Sequence, residues 1–171
     1  GYDLAVVGKT FNYPIGFYSK KIKKLSQLPN GALVIVASDP TNGGRELLLL
    51  QKAGLIKLNP KAGLLATPND IIYNPKNLKF KMLEAAMLPR ALDDAYLVAI
   101  NTSFLSNFNL KLKDAVIIEG ADSPYANIIV VRKSDKDKKW VKDLVNSVHS
   151  KQVVSDAAKY FPGGEAEVAW H

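Results

Sequence analysis

Short apolar runs alternate with amphipathic segments along most of this chain. The runs are bounded by Gly, Pro, Asn or Asp and predict buried β-strands. These predicted strands cover residues 4–7, 15–19, 32–37, 78–83, 96–100, 116–119 and 126–131. Apolar positions at helical spacing predict helices over residues 44–53, 88–95, 103–108, 136–148 and 153–160. The alternation indicates an α/β protein with mixed, largely parallel sheets.

The last two predicted helices carry their apolar residues on one face. Trp140 and Leu144 recur at helical spacing in the first, and Val154 and Phe161 do so at the end of the chain. We expect Trp140 and Phe161 to lie in the core rather than to form a ligand platform. The Pro-Gly-Gly sequence at 162–164 then ends the last helix.

Composition places the chain among folded globular proteins. Its 171 residues allow one domain or at most two, and 47% hydrophobic with 23% charged residues excludes a disordered or collagen-like chain. No apolar run approaches the roughly 20 residues that a membrane-spanning helix requires. Cysteine is absent, which excludes a disulfide framework, a thiolate metal site and a cysteine nucleophile.

The formal net charge of +7 would suit an anionic partner. Basic residues cluster at 20–24 and at 132–139, and in the second cluster Ser134, Asp135 and Asp137 are mixed in. Mixed runs of this kind are typical of solvated faces and turns. The chain has no RNA-binding aromatic motif, zinc finger or base-reading basic helix, so we expect no nucleic-acid partner.

The loop between the third predicted strand and the first predicted helix has the most informative chemistry. It reads Ser-Asp-Pro-Thr-Asn-Gly-Gly-Arg. Thr41 or Asn42 is expected to cap the helix, while Gly43 and Gly44 would let a ligand approach the backbone. Arg45 adds a planar group that can bind a carboxylate with two hydrogen bonds. The loop therefore suits a small carboxylate or phosphate, and a capped surface helix with an exposed arginine is the alternative.

Two asparagines lie at the ends of predicted strands. Asn101 comes directly after the strand at 96–100, and Asn127 opens the apolar run 128–131. An amide both donates and accepts hydrogen bonds, which suits a zwitterionic amino acid. The alternative is that Asn101 caps the following helix and that Asn127 serves a turn.

The chain offers little for catalysis. His149 and His171 are its only histidines, and we expect His149 to serve the surface or packing. No Gly-x-Ser-x-Gly nucleophile motif and no pair of histidines at metal-ligand spacing occurs. Asp93 and Asp94 could form an acid pair, but an exposed helix end explains them more simply. We therefore expect a protein that is not an enzyme and has no catalytic residue, metal site or cofactor.

Several blocks of sequence resemble the methionine-binding lipoproteins that serve ABC importers, the NlpA-type substrate-binding proteins. The most distinctive block is Asp-Pro-Thr-Asn-Gly-Gly-Arg at 39–45, with Gly-Leu-Ile at 54–56. Further blocks follow in the family's order at 7–22, 74–78, 88–95, 99–102 and 123–127. The resemblance covers nearly the whole chain, from Gly1 to Trp170.

This resemblance implies a type II periplasmic-binding-protein fold, in which two α/β lobes joined by crossover strands close on one amino acid, usually L-methionine. Residues 17–122 would form a nearly complete lobe II. Residues 1–16 and 123–171 would form the later part of lobe I, which is incomplete in this chain.

The resemblance also assigns roles to four residues. Arg45 would bind the carboxylate of the amino acid. Asn101 and Asn127 would hydrogen-bond its α-amino and carboxylate groups, and Asn42 would help to shape the loop around Arg45.

The family's pattern further implies a longer protein. The strand predicted close to Gly1 and the missing initiator methionine lead us to expect an upstream part with the remaining lobe I strands, side-chain pocket and lipid-anchored cysteine. The protein would then be periplasmic or in the cell envelope, anchored to the membrane by lipid, and would dock on an ABC permease. Strand edges left exposed would favour self-association of this chain.

Other functions stay open at this stage. A ligand-sensing regulatory domain can share the fold, and a receptor for a methionine-containing dipeptide would share the site around Arg45. A surface adhesin that acts through its basic face is a third possibility.

Overall fold

The computed structural model describes residues 2–120 and 123–170. The chain divides into two compact units, unit 1 from Gly1–Pro14 and Gly120–His171, and unit 2 from Ile15–Glu119. The predicted lobe boundaries, at residues 17 and 122, stay predictions. The assignment of the units to two lobes of a receptor stays a prediction.

The chain forms eleven strands and three α-helices within the described residues. The strands are β1 (Leu4–Lys9), β2 (Phe11–Asn12), β3 (Ile15–Tyr18), β4 (Leu33–Ala37), β5 (Lys57–Leu58), β6 (Ile71–Tyr73), β7 (Lys79–Leu83), β8 (Leu97–Asn101), β9 (Ile117–Ile118), β10 (Ile128–Arg132) and β11 (Glu167–Val168). The α-helices are α1 (Pro40–Lys52), α2 (Lys139–Val148) and α3 (Lys151–Tyr160). Each predicted strand is found within two residues at either end, whereas the short strands β2, β5, β6 and β11 were not predicted.

Unit 2 is built on a five-stranded sheet in the order β7-β4-β8-β3-β9. Strand β4 runs parallel to β7 and β8, while β3 runs antiparallel to β8 and β9. The other pairs of described strands are antiparallel, so the expectation of largely parallel sheets is wrong. Among the described strands, parallel pairing arises only around β4, because the connections from β4 to β7 and from β7 to β8 each return the chain to the end of the sheet at which the previous strand began.

Both faces of this sheet are covered, because its central strands β4, β8 and β3 are continuous runs of buried residues. Val34 and Val36 pack with α1 residues such as Leu47 on one face. Ile35 packs with Leu88 on the other face. Successive side chains of a strand point to opposite faces, so β4 is buried on both sides and holds α1 firmly in place.

Two predicted helices of unit 2 are 3-10 segments instead. The chain forms one such segment at Ala85–Ala91 and two shorter ones at Thr102–Phe104 and Ser106–Phe108. Pro89 lies inside the first, and proline removes a backbone donor and disfavours a continuous α-helix. Asn109 in the left-handed conformation ends the last of them.

In unit 1, β1 pairs with β10 and β2 pairs with β11, both antiparallel. Helix α2 buries Val141, whereas Trp140 is 49% exposed and Phe161 is 40% exposed. The expectation that these two aromatic residues lie in the core is therefore wrong. The buried side of α2 is centred on Val141, and Phe161 follows α3, which has no buried residue. No helix within the described ranges is long and apolar enough to cross a bilayer.

The two basic clusters lie at the surface. Lys20 binds the exposed Asp93 at 2.8 Å, and in the second cluster Lys138 binds Asp135 at 2.5 Å. Lys139 binds Asp143 one helical turn further on, at 2.7 Å. The interpretation of both clusters as solvated faces is confirmed.

Candidate functional site

Helix α1 begins shortly after strand β4 in the sequence, and Asp39 caps its N-terminus. The Asp39 carboxylate accepts a hydrogen bond from the backbone N–H of Asn42 at 2.9 Å. Pro40 occupies the first turn, where a missing N–H costs nothing. The expected cap at Thr41 or Asn42 is therefore wrong, because proline starts the helix two residues earlier.

The paired glycines of this helix make room for protein backbone rather than for a ligand. A Cβ on Gly43 would lie 2.6 Å from the carbonyl oxygen of Ala37, and one on Gly44 would lie 2.1 Å from that of Leu64. Both glycines lie within the helix and neither has a positive φ. The expectation that they admit a ligand is replaced by a packing role.

Arg45 lies on the same helix and is only 9% exposed, so the alternative of a solvent-exposed arginine is wrong. Its Nε donates to both carboxylate oxygens of Glu119, at 2.9 and 3.0 Å, and its Nη2 also donates to Glu119. Glu119 additionally accepts a hydrogen bond from the backbone N–H of Ile15 at 3.3 Å. The guanidinium is thus held in one orientation through its Nε edge.

Asn42 and Asn101 are joined side chain to side chain. The Nδ2 of Asn101 donates to the Oδ1 of Asn42 at 2.8 Å. Asn101 precedes the 3-10 segment Thr102–Phe104 but makes no side-chain capping bond to it, which argues against the capping alternative. Its Oδ1 is buried and has no hydrogen-bond partner among the described residues.

Asn127 belongs to unit 1, whereas the other three predicted site residues belong to unit 2. Its backbone is held by strand-like pairing: its N–H donates to the carbonyl of Phe11 at 3.0 Å, and its carbonyl accepts from the N–H of Thr10 at 2.7 Å. The Asn127 side chain is exposed. Its contribution to a ligand site stays a prediction.

The chain was compared with models of known protein families. Residues 1–170 match the model described as NlpA lipoprotein. The chain belongs to the NlpA lipoprotein family. The family predicted from the sequence blocks is thus confirmed.

Relatives of this chain include two proteins named D-methionine-binding lipoprotein MetQ. The one from Salmonella typhimurium is 54% identical over 167 residues, which cover 96% of this chain and 62% of the relative. The one from Escherichia coli K12 is 52% identical with the same coverage. The chain therefore spans less than two thirds of the length of these curated relatives.

Two solved structures share the fold. A periplasmic substrate-binding protein of an ABC transporter from Coxiella burnetii superposes with a TM-score of 0.88 at 49% identity, covering 99% of this chain and 71% of that one. A nutrient binding protein from Burkholderia cenocepacia bound to methionine gives 0.89 at 46% identity, covering 99% and 72%. The chain has the α/β fold of periplasmic substrate-binding proteins, as the sequence predicted.

Two acidic residues of the candidate site were not singled out from the sequence. Asp39 precedes Pro40, and this Asp-Pro pair is itself a signal for a helix start. Glu119 lies 74 residues from its partner Arg45, and no local pattern indicates such a pairing. Only the position of Glu119 at the end of a predicted strand could have drawn attention to it.

A third acidic residue, Glu46, lies beside Arg45 on α1 and is fully buried. Its Oε2 accepts a hydrogen bond from the backbone N–H of Ala37 at 2.6 Å, and its Oε1 has no partner in the described part of the chain. Burial raises the pKa of Glu46 to about 8, and the charge of Asp39 adds to this. The Ala37 N–H and Arg45 oppose the rise, but burial outweighs them and favours the protonated form of Glu46.

The described residues contain no cluster of His, Asp and Glu that could hold a metal ion. His149 stacks on Trp170 with ring centroids 4.4 Å apart, and its Nε2 lies 2.8 Å from the carbonyl oxygen of Lys9. The prediction of a packing role for His149 is confirmed. His171 lies outside the described residues.

Proposed function

We propose that this chain is the larger part of an extracytoplasmic substrate-binding protein that captures methionine or a closely related amino acid and delivers it to an ABC permease. The observation that carries the proposal is the buried Arg45, which Glu119 holds in one orientation. Arg45 lies one helical turn after Asn42, whose side chain is hydrogen-bonded to that of Asn101. Methionine-binding names among relatives at about half identity support the ligand class.

The site on unit 2 has groups for both charges of an amino acid. Glu119 holds the Arg45 guanidinium in one orientation, and a ligand carboxylate would bind the same guanidinium. A buried arginine binds a carboxylate more strongly than an exposed one, because less water competes for it. The α-ammonium group would find an acceptor in the amide pair.

A binding function is favoured over the other candidates. Proteins similar to this chain are named as binding lipoproteins and not as enzymes, regulators or adhesins. A dipeptide receptor would also bind the carboxylate of its ligand through Arg45. Competition between methionine and a methionine-containing dipeptide distinguishes the two, since only one will bind tightly.

The family description also supports a location. A lipoprotein of this family would be anchored by lipid to a membrane and face the periplasm or cell envelope. Self-association of the isolated chain stays a prediction, motivated by the exposed Leu4 and Val6 on β1 and Ile128 and Val130 on β10. A monodisperse monomer in light scattering would contradict it.

The proposal is tested by calorimetric titration of L- and D-methionine into the full-length protein. Arg45→Ala should weaken binding by about 2–5 kcal/mol, since the ligand carboxylate would be buried without its partner. Arg90→Ala removes an exposed arginine of the same unit and should leave the affinity unchanged. Unaltered affinity in Arg45→Ala would remove Arg45 from the site, and no binding of either enantiomer would refute methionine as the ligand.

A further inference from the structure

Three side chains at the start of α1 and the end of β8 form a continuous hydrogen-bonded row. The Nδ2 of Asn42 donates to the carboxylate of Asp39, at 3.2 Å to one oxygen and 3.0 Å to the other. The Oδ1 of Asn42 accepts from the Nδ2 of Asn101 at 2.8 Å. The row ends at the Oδ1 of Asn101, which is buried and has no partner within the described residues.

The direction of this row follows from Asp39. An ionised carboxylate accepts hydrogen bonds and donates none, so Asn42 must turn its amide nitrogen toward Asp39. Asn42 then presents its oxygen to Asn101, and Asn101 must donate a hydrogen bond from its own amide nitrogen. The atom at the far end of the row, the Oδ1 of Asn101, is therefore an acceptor. A buried acceptor without a donor is costly, and a ligand that supplies a donor removes that cost.

We propose that Asp39 is a positioning residue that, through Asn42, turns the Oδ1 of Asn101 toward the α-ammonium group of the ligand. This inference rests on the proposed function, because it assigns one end of an amino acid to Asn101. Asp39 itself touches no ligand. With Arg45 for the carboxylate, an acceptor at Asn101 would let the site distinguish the two ends of a zwitterion.

Asp39→Asn is the variant that tests the direction of the row. The new side chain can still cap α1, because its Oδ1 can accept from the backbone N–H of Asn42. Its NH₂ group would then replace the oxygen that lies 3.0 Å from the Nδ2 of Asn42, which favours a flip of Asn42 that presents its oxygen instead. Asn101 flips in turn and presents a donor where the ammonium group needs an acceptor.

The exchange Asp39→Asn with Asn42→Asp restores the original direction. The carboxylate now stands at position 42, next to Asn101, and again accepts from its Nδ2. Asn101 is returned to the orientation of the natural protein, and the number of charges is conserved. Asp94→Asn serves as the control for a lost negative charge, since Asp94 is exposed on the same unit.

The readout is the ratio of two affinities, measured by calorimetry on the full-length protein. The ligands are methionine and 4-methylthiobutanoate, which is methionine without its α-amino group. In Asp39→Asn we expect methionine to bind about ten- to a hundred-fold more weakly, as for loss of a hydrogen bond to a charged group. The analogue should change little, and the double exchange should restore the ratio.

The outcomes separate the two levels of the proposal. If the natural protein does not bind methionine, the proposed function fails and this inference fails with it. If the natural protein binds methionine but Asp39→Asn keeps the same ratio, only the role of Asp39 is refuted. Equal weakening of both ligands, or a double exchange that does not recover, would show that Asp39 acts on stability alone.

Discussion

Replacing Glu46 by glutamine should change how the stability of this protein depends on pH. The folded state holds the Glu46 proton up to a pKa of about 8, whereas the unfolded chain releases it near the ordinary value of 4.5. Between these values the unfolded state binds fewer protons than the folded state, so the free energy of unfolding falls as pH rises. Above about pH 8 both states are ionised and the contribution becomes constant.

The size of the effect follows from the two pKa values. Each unit of difference is worth about 1.36 kcal/mol, so a separation of roughly 3.5 units gives a loss of about 5 kcal/mol at most across this window. Glutamine has no proton to release and keeps an oxygen to accept the N–H of Ala37. Its NH₂ group adds a pH-independent cost of about 1–3 kcal/mol if it stays unpaired.

The assay is chemical unfolding of the full-length protein at a series of pH values from 4.5 to 8.5. The free energy of unfolding of Glu46→Gln, relative to that of the natural protein, should increase steadily as pH rises. Glu84→Gln, at an exposed position, is the matched control. Hydrogen exchange at the Ala37 amide gives a local measurement in the same window. Parallel pH curves for Glu46→Gln and the natural protein would refute the reasoning.

Two glycine substitutions test the packing of α1. Gly44→Ala should lower the free energy of unfolding by about 1–3 kcal/mol, because its Cβ would collide with the backbone of Leu64, and thermal unfolding would detect a shift. Gly54, at φ +75°, follows the end of α1, so Gly54→Ala should cost about 1–2 kcal/mol of left-handed strain, measured by urea unfolding. An unshifted midpoint in either variant would contradict its explanation.

Sequence patterns predicted the elements around the site better than its contacts. Strand β4 was found because its apolar run is bounded by polar residues, and the helix after it because Leu47 and Leu50 recur at helical spacing. The pairing of Arg45 with Glu119 could not be predicted, since it depends on how distant strands are ordered in the sheet. The burial of Glu46 could not be predicted either, because a glutamate next to Arg45 on a predicted helix is typical of a solvent-facing position.

The order of the strands in the sheet also could not be predicted from local sequence patterns. Apolar runs reveal that β3 and β8 exist, but each run is compatible with either direction of pairing. The antiparallel arrangement follows from the path by which the chain enters and leaves unit 2. Likewise, the segment Ala85–Ala91 has helical spacing, but Pro89 within it favoured a tighter turn.

The chain enters and leaves unit 2 at adjacent points: the N–H of Glu119 donates to the carbonyl of Ile15 at 2.9 Å. A segment whose two ends are adjacent can be inserted into, or removed from, a longer polypeptide with little disturbance of either part. Recombination between related genes could therefore exchange this whole segment as one cassette. Chimeras built by joining at these two residues would carry Arg45, Asn42 and Asn101 together into a related protein.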